Sequence, residues 1–253
     1  MKICLALCRE SRLNKKIGII GDVHAEDVLL SLAIDWFEKQ GVDIVICTGD
    51  IADGLGDINA ACDLLANHGV LTVAGNHDRW LLTDKKRHVK NAHRRSAVRD
   101  SSLQFLDALP RMLSVSTSCG ELLLCHGVLG DDLAKVWPGT ATTNVEQSLS
   151  LDQLLSNSST APRFMVNGHM HFRTLIDFEN CQLINAGTLK GLYSGVSILD
   201  VDEQMVSGFD FTPNKVILQG QYHSIAGSDG RKVWRNTQAF DSRWTPITLH
   251  RSP

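Results

Sequence analysis

The chain of 253 residues lacks any apolar run close to the roughly 20 residues that a membrane-spanning helix needs. Its apolar N-terminal stretch, ICLALC, is too short for a signal-peptide core and is followed at once by Arg9 and Glu10. No C-x-x-C pair occurs among the seven cysteines, an odd number that agrees with reduced thiols. We therefore expect a cytoplasmic protein without membrane association, in which Cys47 and Cys125 are small core residues.

A strong charge imbalance is also absent. The formal net charge of −3 argues against a chain devoted to nucleic-acid binding, although a local basic patch could exist. Hydrophobic content of 43% and charged content of 21% are ordinary for a globular protein. Because neither an internal repeat nor a linker is visible, we expect residues 1–253 to form one domain.

Two kinds of hydrophobic pattern follow each other along the chain. Residues 25–39 and 58–67 have apolar residues at helical spacing and alternate with short β-prone runs, which predicts parallel strands joined by helices. After residue 110 the pattern changes to a hairpin turned at Cys119-Gly120 and to further strands at 163–167, 181–185, 195–201 and 215–222. Helix-flanked parallel strands that lead into antiparallel ones predict two packed sheets.

Five short motifs with metal-ligand side chains recur, most of them directly after an apolar run. They are GDVH at 21–24, GD at 49–50, GNHD at 75–78, CHG at 125–127 and GHMH at 168–171. Because the carboxyl ends of parallel strands lie at the same edge of a sheet, side chains far apart in sequence are expected to converge there. The ligand candidates are Asp22, His24, Asp50, Asn76, His126, His169 and His171.

Taken together and in this order, the five motifs resemble those of the calcineurin-like metallophosphoesterases over residues 22–171. The resemblance implies a four-layer α/β/β/α sandwich of two mixed sheets flanked by helices, with a dinuclear metal site at one edge of the sheets. It also implies how the ligands divide. One ion would be held by Asp22, His24, Asp50 and His171, the other by Asp50, Asn76, His126 and His169, with Asp50 as the bridge.

Oxygen and imidazole ligands suit hard or borderline cations. We expect two divalent or mixed-valence ions, with Mn²⁺ as the first candidate and Fe, Zn²⁺, Mg²⁺ or Ni²⁺ as alternatives. Two such ions lower the pKa of a shared water and clamp the phosphoryl oxygens, so the nucleophile would be a metal-bridging hydroxide and no serine or cysteine nucleophile would be needed.

The resemblance makes His77 the proton donor to the leaving group, and the alternative is that it only braces Asn76. Asp53 stands where phosphoprotein phosphatases have an aspartate that pairs with the catalytic histidine, but Asp53-Gly54 is also a strong turn signal. Both interpretations of Asp53 remain open. Arg79 is a candidate phosphate clamp, with a solvated loop arginine as the alternative.

Three departures separate the chain from the Ser/Thr protein phosphatases. Ala25 replaces a glycine, Gly54 an arginine and Asp78 a glutamate. The chain is more similar to the small bacterial and archaeal phosphodiesterase-type members. Trp80, which follows Arg79, is expected to be only a core or loop anchor.

Two segments extend the motif pattern. Residues 84–100 form a basic insertion with seven Lys or Arg in residues 85–99, interpreted either as a solvated helix face or as a basic lip that attracts polyanions. Residues 221–253, with Trp234 and Trp244, are expected to form a C-terminal β extension.

We therefore expect a metal-dependent phosphoesterase that acts on a small phosphodiester or phosphomonoester, with a nucleotide among the candidates. The alternatives are a nuclease, a nucleotide or dinucleoside polyphosphate hydrolase, a Ser/Thr protein phosphatase and a catalytically silent scaffold. Nucleic-acid binding, the native metal and the oligomeric state stay open at this point.

Overall fold

The computed structural model describes residues 13–137, 146, 148–157, 159–178, 181–225 and 230–233. Within these ranges the strands are β1 (Lys16–Ile20), β2 (Ile44–Cys47), β3 (Leu71–Thr72), β4 (Met112–Thr117), β5 (Gly120–Cys125), β6 (Phe164–Asn167), β7 (Arg173–Asp177), β8 (Gln182–Ala186), β9 (Gly195–Asp200), β10 (Met205–Phe211), β11 (Ile217–Ser224) and β12 (Gly230–Val233). The α-helices are α1 (Asp27–Gln40), α2 (Ile58–Asn67), α3 (Asn76–Leu82), α4 (Asp100–Ala108) and α5 (Leu149–Ser156), and a 3-10 helix covers Arg95–Ala97.

The strands form two mixed six-stranded sheets. The first has the order β11-β10-β9-β1-β2-β3, in which β1, β2 and β3 are parallel and β9 to β11 are antiparallel. The second has the order β12-β7-β8-β6-β5-β4, in which β5, β6 and β8 are parallel. The parallel neighbours within each sheet place the carboxyl ends of those strands at one edge.

Alternation along the strands divides the core into three apolar layers. Ile17 and Ile19 of β1 pack between the sheets with Phe164 and Val166 of β6, whereas the next residue of β1, Ile20, packs under α1, α2 and α4. On the far side of the second sheet, residues of β6 and β8 pack against α5. The architecture is the four-layer α/β/β/α sandwich that the sequence predicts.

The two predicted crossover helices are confirmed, and local chemistry sets their ends. In α1, buried residues recur at the i, i+3, i+4 and i+7 positions, from Leu30 to Phe37, and the helix ends at Gly41, whose φ of 64° favours glycine. In α2, the Asp57 side chain accepts hydrogen bonds from two backbone N–H groups of the first turn.

The hairpin of β4 and β5 and the strands β6, β8, β9 and β11 also agree with the sequence patterns. Cys47 and Cys125 are fully buried, as expected. Residues 221–224 belong to β11 and residues 230–233 form β12. Residues 234–253, with Trp234 and Trp244, lie outside the described residues, and the C-terminal β extension stays a prediction. No helix in the described ranges combines the length and the apolar character that crossing a membrane requires.

Candidate metal centre

All seven ligand candidates follow strands at the shared edge of the two sheets, six of them in loops and one at the start of a helix. Asp22 and His24 follow β1, Asp50 follows β2, Asn76 begins α3 after β3, His126 follows β5, and His169 and His171 lie between β6 and β7. The backbone of this region is unusual. His24, Asp50, Asp53, His169 and His171 have φ between 46° and 69°, a range that non-glycine residues adopt at an energetic cost.

These side chains come together in two groups. In the first, one potential ligand atom from each of Asp22, His24, Asp50 and His171 lies within 4.8 Å of every other. The same holds for Asp50, His126 and His169 in the second group. Asn76 joins the second group, because its Oδ1 lies 3.0 Å from Nε2 of His126. Asp50 belongs to both.

The two carboxylate oxygens of Asp50 have different surroundings. Oδ1 accepts a hydrogen bond of 2.8 Å from the backbone N–H of His77. Oδ2 lies 3.3 Å from Nε2 of His126 and 3.9 Å from Nε2 of His24. One oxygen thus faces a histidine of each group, as a ligand shared by two cations requires.

Backbone carbonyls orient two of the histidines. Nδ1 of His24 lies 3.1 Å from the carbonyl oxygen of Ala52 and 3.0 Å from that of Asp53, and Nδ1 of His126 lies 2.8 Å from that of Thr48. A carbonyl can only accept, so Nδ1 carries the proton in each ring. Nε2 of each ring therefore points toward the ligand cluster. Once Nε2 is deprotonated, the ring has the tautomer that metal-binding histidines use.

Burial and charge act in opposite directions on the carboxylates. Burial alone would raise the pKa of both Asp22 and Asp50, but the charge of His126 and further histidine contacts lower each below its usual value. Burial lowers the pKa of His24 to about 4, so its ring is neutral near pH 7. For His126, burial opposes protonation, yet Asp50 and Asp22 raise its pKa to about 10. The cluster thus keeps two buried carboxylates in the ionised form that a metal ligand requires.

His77 and Asp53 form a hydrogen-bonded pair beside this cluster. Nδ1 of His77 lies 2.7 Å from Oδ2 of Asp53, whose side chain is fully buried, whereas the His77 side chain is 18% exposed. The ring centroid of Trp80 lies 4.8 Å from that of His77. Of the two open interpretations of Asp53, the structure favours the histidine partner. Trp80 packs on the histidine, as expected of an anchor.

The arginine of the protein-phosphatase pattern has no room in this backbone. A Cβ atom at Gly54 would overlap the carbonyl oxygen of His24. Asp78 has a structural role, because its carboxylate accepts hydrogen bonds from the backbone N–H groups of Ile51, Ala52 and Gly75 and so ties the loops after β2 and β3 together.

Arg79 lies in a helix and not in a loop, and its role as a phosphate clamp stays a prediction. Arg79 is a residue of α3, and its guanidinium forms two hydrogen bonds with the Asp132 carboxylate, of 2.6 and 2.7 Å. A cation that sequence reasoning misses lies near the first ligand group. Nζ of Lys190 is 3.5 Å from the carbonyl oxygen of Asp53. The positive charge of Lys190 opposes protonation of both His24 and His171 and so acts to lower the pKa of each. No motif marks this lysine.

The basic segment does not form the helix that one interpretation assumes. Between α3 and α4 only Arg95–Ala97 is helical, as a 3-10 turn. Asp84, Lys86 and Asn91 have φ of 52°, 54° and 60°, which interrupts a helix three times. The segment folds back on the site, since the two terminal nitrogens of Arg87 lie 2.9 and 3.0 Å from the two carboxylate oxygens of Asp53.

Two groups of imidazole and carboxylate ligands at the joint edge of two sheets are typical of metallophosphoesterases. A sequence model of the calcineurin-like phosphoesterase superfamily domain matches residues 16–204, and the chain belongs to this superfamily. Two groups of its buried and partly buried residues have the composition and the spacing of metal ligands.

Individual relatives are distant. An uncharacterized protein of Methanocaldococcus jannaschii is 23% identical over 121 residues, or 45% of this chain, and the match spans only 50% of that protein. A metallophosphoesterase from Sphaerobacter thermophilus has a TM-score of 0.57 at 18% identity, covering 77% of this chain and 87% of the other. For the phosphoesterase Yfce from E. coli, the TM-score is 0.52 at 15% identity, covering 83% and 99%. Such similarity establishes the fold.

Proposed function

We propose that the chain hydrolyses a phosphodiester or phosphomonoester with two metal ions. One ion is held by Asp22, His24, Asp50 and His171, the other by Asp50, Asn76, His126 and His169. The observation that carries this assignment is the position of Asp50, whose Oδ2 faces a histidine of each group. The inward Nε2 atoms of His24 and His126 support it, because their Nδ1 protons are already used by backbone carbonyls.

The donor set favours particular metals. Carboxylate, amide and imidazole groups suit Mn²⁺ first, with Fe, Zn²⁺, Mg²⁺ and Ni²⁺ as alternatives. When bound, the two ions supply an activated water and neutralise the phosphoryl oxygens. The protein fixes the ligand geometry in a buried pocket, since Asp22 is fully buried and Asp50 and His126 are each 1% exposed.

His77 is proposed as the proton donor to the leaving oxygen. Its Nδ1 is held by Asp53, so Nε2 is the atom that carries and transfers the proton. The Asp53 carboxylate stabilises the positive charge of the imidazole before the transfer. The backbone N–H of His77 is bonded to Asp50, which keeps the donor adjacent to the ligand cluster.

The test compares leaving groups. In His77→Gln, the hydrolysis of an alkyl phosphodiester is expected to fall by roughly 10²–10⁴-fold, because a poor leaving group depends on protonation. Bis-nitrophenyl phosphate should lose much less, and His68→Gln, which alters a histidine at the end of α2, should leave both rates unchanged. Equal losses on the two substrates, with metal content intact by elemental analysis, would contradict the assignment of His77.

A nucleotide or dinucleoside polyphosphate is a second candidate substrate, favoured by one observation. Lys85, Lys86, Lys90 and Arg94 are exposed on the segment that also contacts Asp53 through Arg87. Exposed cations beside the site attract a substrate with several negative charges more strongly than a singly charged diester.

A further inference from the structure

The Arg87 guanidinium uses four of its five N–H groups in hydrogen bonds within the protein. NH1 donates to Oδ1 of Asp53 at 2.9 Å and to the carbonyl oxygen of His93 at 2.9 Å, and NH2 donates to Oδ2 of Asp53 at 3.0 Å. Nε donates to the carbonyl oxygen of Lys85 at 2.7 Å. A guanidinium that is used in this way has no pair of donors left for a phosphate. Arg87 therefore binds the Asp53 carboxylate and the backbone of its own loop.

His93 holds the same aspartate from a second direction. Its backbone N–H donates to Oδ1 of Asp53 at 2.9 Å, and the backbone N–H of Asp53 lies 2.9 Å from Nδ1 of His93. Asp53 has a φ of 69°, a conformation that persists only when its surroundings hold it. The basic segment therefore fixes both the backbone and the side chain of Asp53.

The electrostatics of Asp53 agree with this arrangement. Burial would raise the pKa of its carboxyl, but the hydrogen bonds from His77 and Arg87 outweigh burial and lower it. Without the guanidinium, a fully buried carboxylate would keep only the histidine and one backbone N–H as partners. It could then turn away from His77 toward water.

We propose that Arg87 is a positioning residue for proton donation. It holds the Asp53 carboxylate in the plane that directs Oδ2 at Nδ1 of His77. This inference rests on the proposed role of His77 as the proton donor. The planar fork of arginine matches both oxygens of a carboxylate, whereas a lysine presents a single charge and fixes no plane.

A set of variants tests the chain of contacts. Arg87→Met removes the fork at similar length, and Arg87→Lys keeps the charge. Arg99→Met is the control, because it changes an arginine of the same segment that binds Asp63 and not Asp53. Each is made alone and together with His77→Gln. The metal-loaded enzyme is assayed on an alkyl phosphodiester and on bis-nitrophenyl phosphate, with the metal content measured in every sample.

Arg87→Met is expected to lower kcat on the alkyl diester by about 10–100-fold, with KM within about 2-fold and a much smaller loss on the nitrophenyl substrate. Arg87→Lys should fall between the wild type and Arg87→Met, and Arg99→Met should match the wild type. In the His77→Gln background, Arg87→Met should cause no further loss, because residues that act through one another are not additive.

Two results would overturn the inference without touching His77: full activity of Arg87→Met, or a loss that is equal on both substrates and persists in the His77→Gln background. The latter would make Arg87 a general structural residue. If Arg87→Met does not fold, Arg87→Lys supports the same comparison. Failure of the proposed function would look different. His77→Gln would then lose the same activity on both substrates, and the proposed role of Arg87 would lose its basis as well.

Discussion

Asp50 has two tasks, one for each carboxylate oxygen. Oδ1 fixes the backbone at His77, and Oδ2 faces the histidines of both ligand groups. His24, in contrast, belongs to the first group alone. Replacing the shared residue should therefore disturb more of the site than replacing His24, although His24 is equally well buried.

The expected consequence is a difference in metal content. Asp50→Asn keeps the size of the side chain but removes the charge that would serve both ions, so it should bind less metal than His24→Ala, which loses a ligand of one ion. Elemental analysis after reconstitution with Mn²⁺ measures this. Retention of two tightly bound ions by Asp50→Asn would argue that Asp50 is not the bridge.

For single residues, the sequence predicts roles that depend on a short motif. It misses side-chain contacts that depend on the path of a loop. The seven ligand candidates can be named because each lies in a short motif after a strand. The pairing of Asp53 with His77 could be proposed, but not decided, across a separation of 24 residues. Arg87 reaches Asp53 over a separation of 34 residues, through an irregular segment that no periodicity describes.

At the scale of elements, glycines allow the strand ends to approach each other. Gly168 precedes His169, and a Cβ atom there would overlap Oδ1 of Asp22 and Oγ1 of Thr48. Gly75 precedes Asn76, and a Cβ atom there would overlap Oδ1 of Asp50. The glycines of the motifs are thus needed because loops of neighbouring strands pack directly on the ligand carboxylates.

Gly168→Ala is expected to destabilise the protein by roughly 1–3 kcal/mol and to weaken metal binding, because the added methyl group displaces Asp22. Gly130→Ala is the control, since a Cβ atom at Gly130 meets nothing within 4 Å and its change should stay within about 0.5 kcal/mol. Urea unfolding of the metal-free proteins and calorimetric titration with Mn²⁺ measure the two effects. Wild-type metal affinity in Gly168→Ala would contradict this packing argument.

The sequence predicts a helix correctly where the periodic apolar pattern is long enough. The helices α1 and α2 have 14 and 10 residues with a regular buried face, and their patterns predict them. By contrast, α3 has seven residues and begins inside the GNHD motif, too short for a periodic signal. The charged segment after it offers no apolar face, so its turns follow from contacts such as those of Arg87 and not from its own pattern.

At the scale of the whole molecule, the site joins the two sheets. Asp22, His24, Asp50 and Asn76 follow strands of the first sheet, whereas His126, His169 and His171 follow strands of the second. The sandwich therefore has to be assembled before either ligand group is complete. The order of the motifs along the chain predicts this sandwich through resemblance, while periodicity alone predicts only two packed sheets.

Charge is distributed unevenly over this molecule. A net charge of −3 coexists with seven Lys or Arg in residues 85–99. Three of these already have partners, because Arg87 binds Asp53, Arg95 donates to the Leu82 carbonyl and Arg99 binds Asp63. Lys85, Lys86, Lys90 and Arg94 are exposed. In the proposed function they attract a charged substrate over a long range.

Replacing these four exposed residues together with Gln is expected to raise KM for a dinucleoside polyphosphate several-fold at low ionic strength and to flatten its salt dependence. The attraction extends over a Debye length of about 10 Å at 0.1 M salt, so it affects a highly charged substrate and hardly affects bis-nitrophenyl phosphate, which serves as the control. Since Arg87 is left intact, kcat on both substrates should not change. Steady-state kinetics at about 0.01 M and about 0.3 M salt separate the outcomes. An unchanged KM for the polyphosphate at the lower salt would make these residues a solvated surface and leave a small, weakly charged phosphoester as the better substrate.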